Sequence, residues 1–262
     1  MRSAGDADLA GHVVVVAGAS SGVGLVTARL FDDRGATVYA LARRKDEIVR
    51  SAGPRSERFS AKALDVTDYA AVARAIQAIG ASGIDTMVVA AGLNVPRRRI
   101  AELAVSDWEA ILNVNLNAAF YLISSALPSL RERHGTVILI ASASAVWPNV
   151  SGAAYQASKA GLLGLARAAA YEEHTNGVRF SVLLPGIVDT PHLDRRSEPP
   201  DAEMRKRMLQ PEDVANACMF LATLPPRAYV PEMVLLPTTL QAPGKTDERA
   251  AYLSLPPAPH GL

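Results

Sequence analysis

His12-Val13-Val14-Val15-Val16-Ala17-Gly18-Ala19-Ser20-Ser21-Gly22-Val23-Gly24-Leu25 is the stretch from which the fold can be read. The four consecutive valines Val13 to Val16 are stiff at Cβ and favour an extended backbone. A strand from His12 to Ala17 that is apolar on both faces suits a parallel sheet covered by helices above and below. The strand runs directly into a glycine-rich turn, and Gly22 to Asp33 reads as a helix. In that context the first free N–H groups of the helix, and its positive dipole end, face whatever fills the turn. Glycines let the backbone bend sharply and approach a pyrophosphate closely. A dinucleotide held by Gly18, Ser20, Ser21, Gly22, Val23 and Gly24 is therefore expected. The spacing is GxxxGxG rather than GxGxxG, and a turn that merely packs strand on helix is the alternative.

The same rhythm continues outward. Ala36 to Ala42, Ala61 to Leu64, Ile84 to Ala90, Thr136 to Ala141 and Val178 to Leu184 read as further strands, nearly apolar on both faces. Asp46 to Ala52 and Asp68 to Ile79 read as helices, the second with Val72, Ala75, Ile76 and Ile79 at helical spacing. Trp108 to Leu130 and Tyr155 to Glu173 are the longest helical segments. This alternation implies an α/β fold, a doubly wound parallel sheet of the Rossmann type with right-handed crossovers, in a single domain. The catalytic domain is expected to span residues 1–240. After Gly186 the rhythm breaks into a Pro-rich, charged stretch that reads as a mobile substrate flap over about residues 187–210. Pro211 to Leu224 resumes as a helix and Glu232 to Leu236 supplies a last strand. Residues 241–262 form a Pro-rich tail, expected to be disordered or laid against a neighbouring subunit.

Composition narrows the partners. Of 262 residues, 49% are hydrophobic and 20% charged, enough apolar material for one sizeable core. Lys plus Arg number 27 against 26 Asp plus Glu, a balance that points away from nucleic acid and from anionic membranes. The longest apolar stretch, near Thr136 to Ala141, is far too short to span a bilayer, and Met1 to His12 lacks the apolar core of a secretory signal. The lone cysteine, Cys218, lies in an apolar helical run and suits a reducing, cytoplasmic setting. His192 has no second ligand at metal spacing, so no metal site is expected.

Tyr155 and Lys159 stand four apart, so on a helix both project from one face. Tyrosine is a poor base near neutrality, with a pKa of about 10, and a neighbouring ammonium is the simplest correction. At about 4 Å and an effective dielectric near 20, that attraction is on the order of 4 kcal/mol before solvation losses.

Through the glycine turn and Tyr155-x-x-x-Lys159, in that order, the sequence resembles the short-chain dehydrogenase/reductase family from His12 to about Pro237. The resemblance implies a nicotinamide cofactor, hydride transfer at a carbonyl or alcohol carbon, and frequently a homotetramer. It assigns Tyr155 the proton transfer, and gives Lys159 a second task at the nicotinamide ribose. It matches Ser142 to the family's catalytic serine, with Ser144 as a local competitor, and Asn115 to the asparagine that holds a relay water, with Asn113 and Asn117 nearby. Asp65-Val66 matches an adenine contact, although a helix N-cap near Asp68 would also explain Asp65. Pro185-Gly186 matches the turn beside the nicotinamide, and Val188 and Thr190 would hold the carboxamide.

The cofactor implied is NADP(H). Ala42 stands where NAD-using members carry an acid, and Arg43 offers a planar fork to a 2′-phosphate, with Ser20 adding a hydroxyl. Solvated surface arginines are the alternative. One departure stands out: the family's Asn-Asn-Ala-Gly after the fourth strand is here Val89-Ala90-Ala91-Gly92. The turn made by Ala91 and Gly92 can survive, but the asparagine hydrogen bonds on the adenosine side cannot.

Asn94, Trp147, Asn149, Ile187, His192 and Leu193 are pocket candidates because they follow strand ends, Trp147 equally as a core aromatic. The flap's mixture of charges does not identify an acidic substrate. These features imply a reductase or alcohol dehydrogenase acting on a small carbonyl or alcohol. A β-ketoacyl carrier-protein reductase and a non-catalytic nucleotide sensor are the rival readings. The two long helices, with the small face Ala166, Ala168, Ala169 and Ala170, suit a dimer or tetramer interface or an internal core.

Overall fold

The computed structural model describes residues 8–195 and 199–240. Its seven strands form one wholly parallel sheet in the order β3-β2-β1-β4-β5-β6-β7. They are β1 (Val13–Ala17), β2 (Thr37–Ala42), β3 (Phe59–Ala63), β4 (Thr86–Val89), β5 (Thr136–Ile140), β6 (Arg179–Pro185) and β7 (Glu232–Leu235). The helices are α1 (Gly22–Asp33), α2 (Lys45–Ala52), α3 (Tyr69–Gly80), α4 (Val105–Leu112), α5 (Ala118–Arg133), α6 (Ala153–Glu173), α7 (Ala202–Arg207) and α8 (Pro211–Ala222). This is the doubly wound Rossmann arrangement.

Alternation along β1 explains the two layers. Val13, Val15 and Ala17 enter an apolar layer with Ile76, Leu122 and Leu162, while Val14 and Val16 enter the other with Phe31, Ile48 and Cys218. Burial pushes the Cys218 thiol up to about 12, so it packs as a small hydrophobe. Winding reverses between β1 and β4, which opens a crevice at their carboxyl ends.

The structure corrects several expectations. β3 starts at Phe59, earlier than expected, and its Lys62 and Ala63 are exposed because it forms one edge of the sheet. The flap contains a helix, α7, whose N-cap Asp201 accepts from the Met204 N–H at 2.8 Å. The two prolines before Asp201 had marked the region as irregular.

The longest apolar segment is not β5. Val105–Arg133 runs as 29 residues of helix, with a mean hydropathy of 1.4 over its most apolar window, long and apolar enough to cross a membrane by those criteria alone. Three asparagines and Pro128 interrupt the run in sequence, yet Ile111, Ala119, Leu122, Ile123 and Leu130 bury one face of it in the core. The Pro-rich tail lies outside the described residues.

α5 and α6 are joined by a two-pronged ion pair. Arg131 Nε and Nη2 donate to Glu173 at 2.8 and 2.5 Å. Those hydrogen bonds hold the buried Glu173 carboxyl below its ordinary pKa. A carboxylate lowered in the folded state adds stability above its unfolded pKa, and that stability is lost as pH falls through the folded value. Glu173→Gln should therefore melt below the wild type at pH 7, with the gap closing as melts are repeated toward pH 3. A gap that stays constant with pH would show that charge at Glu173 is irrelevant.

Candidate active site

A cleft of about 660 Å³ opens at the carboxyl ends of the strands. At its floor the backbone leaves no room for side chains. A Cβ on Gly18 would lie 2.5 Å from the Ala91 nitrogen, and one on Gly24 would lie 2.3 Å from the Gly18 carbonyl oxygen. Gly18 and Gly22 also hold positive φ, +90° and +53°, and Thr190 packs its methyl over Gly22. The N-cap of α1 is Ser21, and no side chain caps that helix end. The N–H groups at Gly22, Val23 and Gly24 can thus receive an anion. The glycines thus pack strand, turn and helix closely and leave the end of α1 open toward the cleft.

At the β2 end of the cleft, Arg44 is tied to Glu47, whereas Arg43 lines the cleft in no ion pair among the described residues. Asp68 is the cap of α3, accepting from the Ala71 N–H at 3.0 Å, so capping does not account for Asp65. Asp65 Oδ1 instead accepts from Thr67 N–H and Oγ1 at 3.0 and 2.7 Å, which with Arg43 nearby lowers the Asp65 pKa. Val66, Ala91 and Gly92 complete this side.

At the other end stand Ser142, Tyr155 and Lys159, delivered by the end of β5 and the first turns of α6. Lys159 is 4% exposed, and its Nζ donates to the Ile140 carbonyl at 2.8 Å and lies 5.7 Å from the centre of the Tyr155 ring. Desolvation brings the Lys159 pKa down to about 8.

Asn115 lies behind the cleft wall rather than in it. The helix widens there into one π-turn, Asn113–Asn117, and the buried carboxamide clips two elements together. Its Oδ1 accepts from Leu93 N–H at 2.7 Å, and its Nδ2 donates to Leu93 C=O at 3.0 Å and to Ser158 Oγ at 2.9 Å. A Cβ on Gly92 would be 3.8 Å from Lys159 Nζ and 3.9 Å from Asn115 Oδ1, so both atoms border the same small space. Asn113 lines the cleft, while Asn117 bonds to Asn113 on the helix surface.

Ser142 caps a 3₁₀ turn over Ala143–Ala145, accepting from Ser144 N–H at 3.1 Å, and its Oγ donates to Ser144 Oγ at 3.0 Å. Ser144 also accepts from Asn149 Nδ2. That amide is fixed in orientation because its Oδ1 accepts from Ser151 N–H at 2.7 Å. Ser144, Asn149 and Ser151 thus back the hydroxyl of Ser142.

Pro185, Gly186, Val188 and Thr190 form the remaining wall. Val188 forms a single parallel bridge to Leu209, made by Asp189 N–H to Leu209 C=O and Leu209 N–H to Ile187 C=O. The N–H and C=O of Val188 itself take no part in it. Of the pocket candidates, Asn149, Ile187, His192 and Leu193 line the cleft. Asn94 and Trp147 do not: Asn94 braces its loop, donating to Ser151 C=O at 3.0 Å and accepting from Val95 N–H. Leu236 and Leu240, which follow β7, line it unannounced by any sequence motif.

Comparison with known proteins agrees with this geometry. A family model described as short chain dehydrogenase matches residues 12–201. The chain is 31% identical over 222 residues to a cis-4-hydroxycyclohexanecarboxylate dehydrogenase of Sinomonas cyclohexanicum, covering 81% of this chain and 89% of that protein. It is 30% identical over 228 residues to a 3-oxoacyl-[acyl-carrier-protein] reductase of Thermotoga maritima, covering 82% and 92%. Among solved structures, an alcohol dehydrogenase from the archaeon Thermococcus sibiricus complexed with 5-hydroxy-NADP superposes with a TM-score of 0.77 at 27% identity, covering 87% of this chain and 97% of that one.

Two glycines separate steric need from catalytic space. Gly24→Ala should lower dinucleotide affinity by at least about tenfold, roughly 1.4 kcal/mol, because its methyl meets backbone. Gly92→Ala meets only ordinary contacts within the protein and should keep the wild-type melting temperature. Calorimetric titration with NADP⁺, together with thermal melts, checks both; equal affinities for Gly24→Ala and wild type would refute the cradle.

Proposed function

The chain belongs to the short-chain dehydrogenase/reductase family, and from that premise we propose that it is an NADP(H)-dependent oxidoreductase acting on a small carbonyl or secondary alcohol. One observation carries the reading: a single cleft joins the glycine turn and uncapped α1 to Ser142, Tyr155 and Lys159. Arg43 would hold the 2′-phosphate with help from Ser20, Asp65 and Val66 the adenine, and Val188 and Thr190 the carboxamide. When bound, the cofactor supplies or receives the hydride.

The protein's own groups do the rest. Ser142 turns its hydroxyl proton from Ser144 toward the substrate oxygen and stabilises the negative charge that develops there. Tyr155 gives its proton to that oxygen in reduction and takes it back in oxidation. Lys159 favours the phenolate left behind, by an attraction of roughly a few kcal/mol at an effective dielectric near 20. Asn115 Oδ1 has a second lone pair beside Lys159 Nζ, where a water can pass protons onward. The exposed Trp108, Phe120 and Tyr171 on the two long helices fit a homo-oligomeric contact, dimer or tetramer, as part of the same reading.

The first test follows NADPH oxidation, with NADH in parallel, against β-keto esters, acyl thioesters, diketones, quinones and aldehydes. Turnover should appear with NADPH and vanish in Tyr155→Phe. Preference for an acyl thioester would favour the carrier-protein reductase, and silence in both directions despite tight NADPH binding would favour the sensor.

Arg43→Ser should reduce the NADPH-over-NADH ratio of kcat/KM by about a hundredfold, on the order of 2.7 kcal/mol; an unchanged ratio would return Arg43 to the solvated surface. The lowered Lys159 pKa also sets a pH limit. Its ammonium is present below about 8 and lost above. The reduction rate should therefore fall as pH rises through that value, measured as kcat/KM at saturating NADPH, and a rate flat to pH 10 would exclude the ammonium's role.

A further inference from the structure

Asp189 sits between Val188 and Thr190, and the proposed chemistry leaves its side chain unused. Asp189 accepts from Arg205 Nη1 at 2.6 Å. Arg205, on α7, also donates through Nη2 to Asp194 and through Nε to the Pro200 carbonyl at 3.2 Å. All three guanidinium nitrogens are engaged, on acceptors spread from 189 to 200, and these pairs raise the Arg205 pKa further. The other flap cations on α7 turn elsewhere: Lys206 pairs with Glu203, and Arg207 reaches Thr239.

The ion pair reinforces a backbone contact. Asp189 N–H donates to Leu209 C=O at 2.8 Å and Leu209 N–H to Ile187 C=O at 3.1 Å, so the chain on both sides of Val188 is tied to the segment that follows α7. Ile187, Leu193 and Met208 bury an apolar cluster there, joined by Met204 and Leu240. Val188, whose own N–H and C=O stay out of the bridge, and Thr190, packed over Gly22, are thereby held as one unit along the cleft.

We propose that Arg205 is a positioning residue that, through its ion pair with Asp189, fixes the main chain at Val188 and Thr190 for the nicotinamide end of the cofactor. The inference rests on the nicotinamide reading of the cleft. Arginine suits the task because a rigid fork serves three acceptors at once, which a single ammonium cannot. It acts at one end only: among the described residues, no hydrogen bond or ion pair of Arg205 or of the Asp189 side chain involves Arg43, Asp65 or the glycine turn.

That asymmetry supplies the test. NADP⁺ and 2′,5′-ADP, which has the adenosine half but no nicotinamide, are titrated calorimetrically into wild type, Arg205→Met, Asp189→Asn and the double variant. The 2′,5′-ADP affinity should stay within about twofold throughout. NADP⁺ affinity should fall about tenfold in each single variant, and the double should fall no further than Arg205→Met alone, because that variant already removes the partner of Asp189. Arg205→Lys should recover part of the loss. Unchanged NADP⁺ affinity in the single variants overturns the proposal, as does an equal loss for both ligands, which would mean general loosening. If Arg205→Met does not fold, the isosteric Asp189→Asn carries the same comparison. Wild type that binds neither ligand would overturn the cofactor reading itself and this inference with it, an outcome distinct from a wild type that binds both.

Discussion

The backbone at the carboxyl ends of β1 and β4 approaches itself more closely than any side chain permits, and the rest of the cleft depends on that approach. Gly18 abuts the Ala90–Ala91 backbone and Gly24 abuts Gly18, so strand, turn and helix meet with no side chain between them. The contact occurs where the sheet reverses its winding, the one place where helices diverge to opposite faces and leave a crevice. Val89 and Ala90 replace the two asparagines expected in the family, and the backbone of Ala90 and Ala91 still makes this contact. What they give up is side-chain hydrogen bonding, not the turn. A lost polar contact at the rim is tolerable in a way that an added Cβ at the floor is not.

The second constraint is electrostatic. Burying an ammonium is costly unless it is paired, and Lys159 is nearly inaccessible with one carbonyl acceptor, Ile140, and no acid partner among the described residues. Desolvation therefore dominates and lowers its pKa. The fold accepts that instability and stiffens the surroundings. Asn115 joins Leu93 to Ser158, Ser158 Oγ donates to the Tyr155 carbonyl at 2.7 Å, and Arg131 with Glu173 anchors the far end of α6. A proton held near its exchange point, in a site that cannot easily rearrange, suits proton transfer better than a stable surface lysine would.

What could be read in the sequence and what could not differ in physical kind. The glycine turn, the four-residue spacing of Tyr155 and Lys159, and the strand–helix alternation are local patterns with local causes. The order of motifs brought Ser142, Arg43, Asp65, Val188 and Thr190 to one cleft, because a doubly wound sheet sends every strand end to the same side. Long-range side-chain bonds had no such signature. Nothing near Asn115 announces that its carboxamide clamps Leu93, or that a π-turn forms there. Arg205 looked like one charge in a mixed flap because its acceptors lie up to 16 residues away. Trp147 and Asn94 were drawn toward the cleft by their positions after strand ends, where loop direction decides the outcome and no pattern encodes it. The long helix from Val105 to Arg133 was legible over Trp108 to Leu130, and only its ends and its π-turn went unread.

Charge is graded along the cleft, and the gradient separates its tasks. Arg43 stands exposed at one end, where salt screens its field within about a Debye length of 8–10 Å. On the proposed reading, discrimination of a 2′-phosphate there would rest on the geometry of a planar fork more than on raw attraction. The glycine turn contributes no formal charge, only oriented N–H dipoles that hold an anion without competing for protons. At the other end Lys159 is buried, so the same unit of charge acts through a lower effective dielectric on Tyr155 and would do so on an oxygen beside Ser142. On the same proposed reading, recognition falls to the wet end, where errors can dissociate, and proton chemistry to the dry end, where each charge exerts its largest effect.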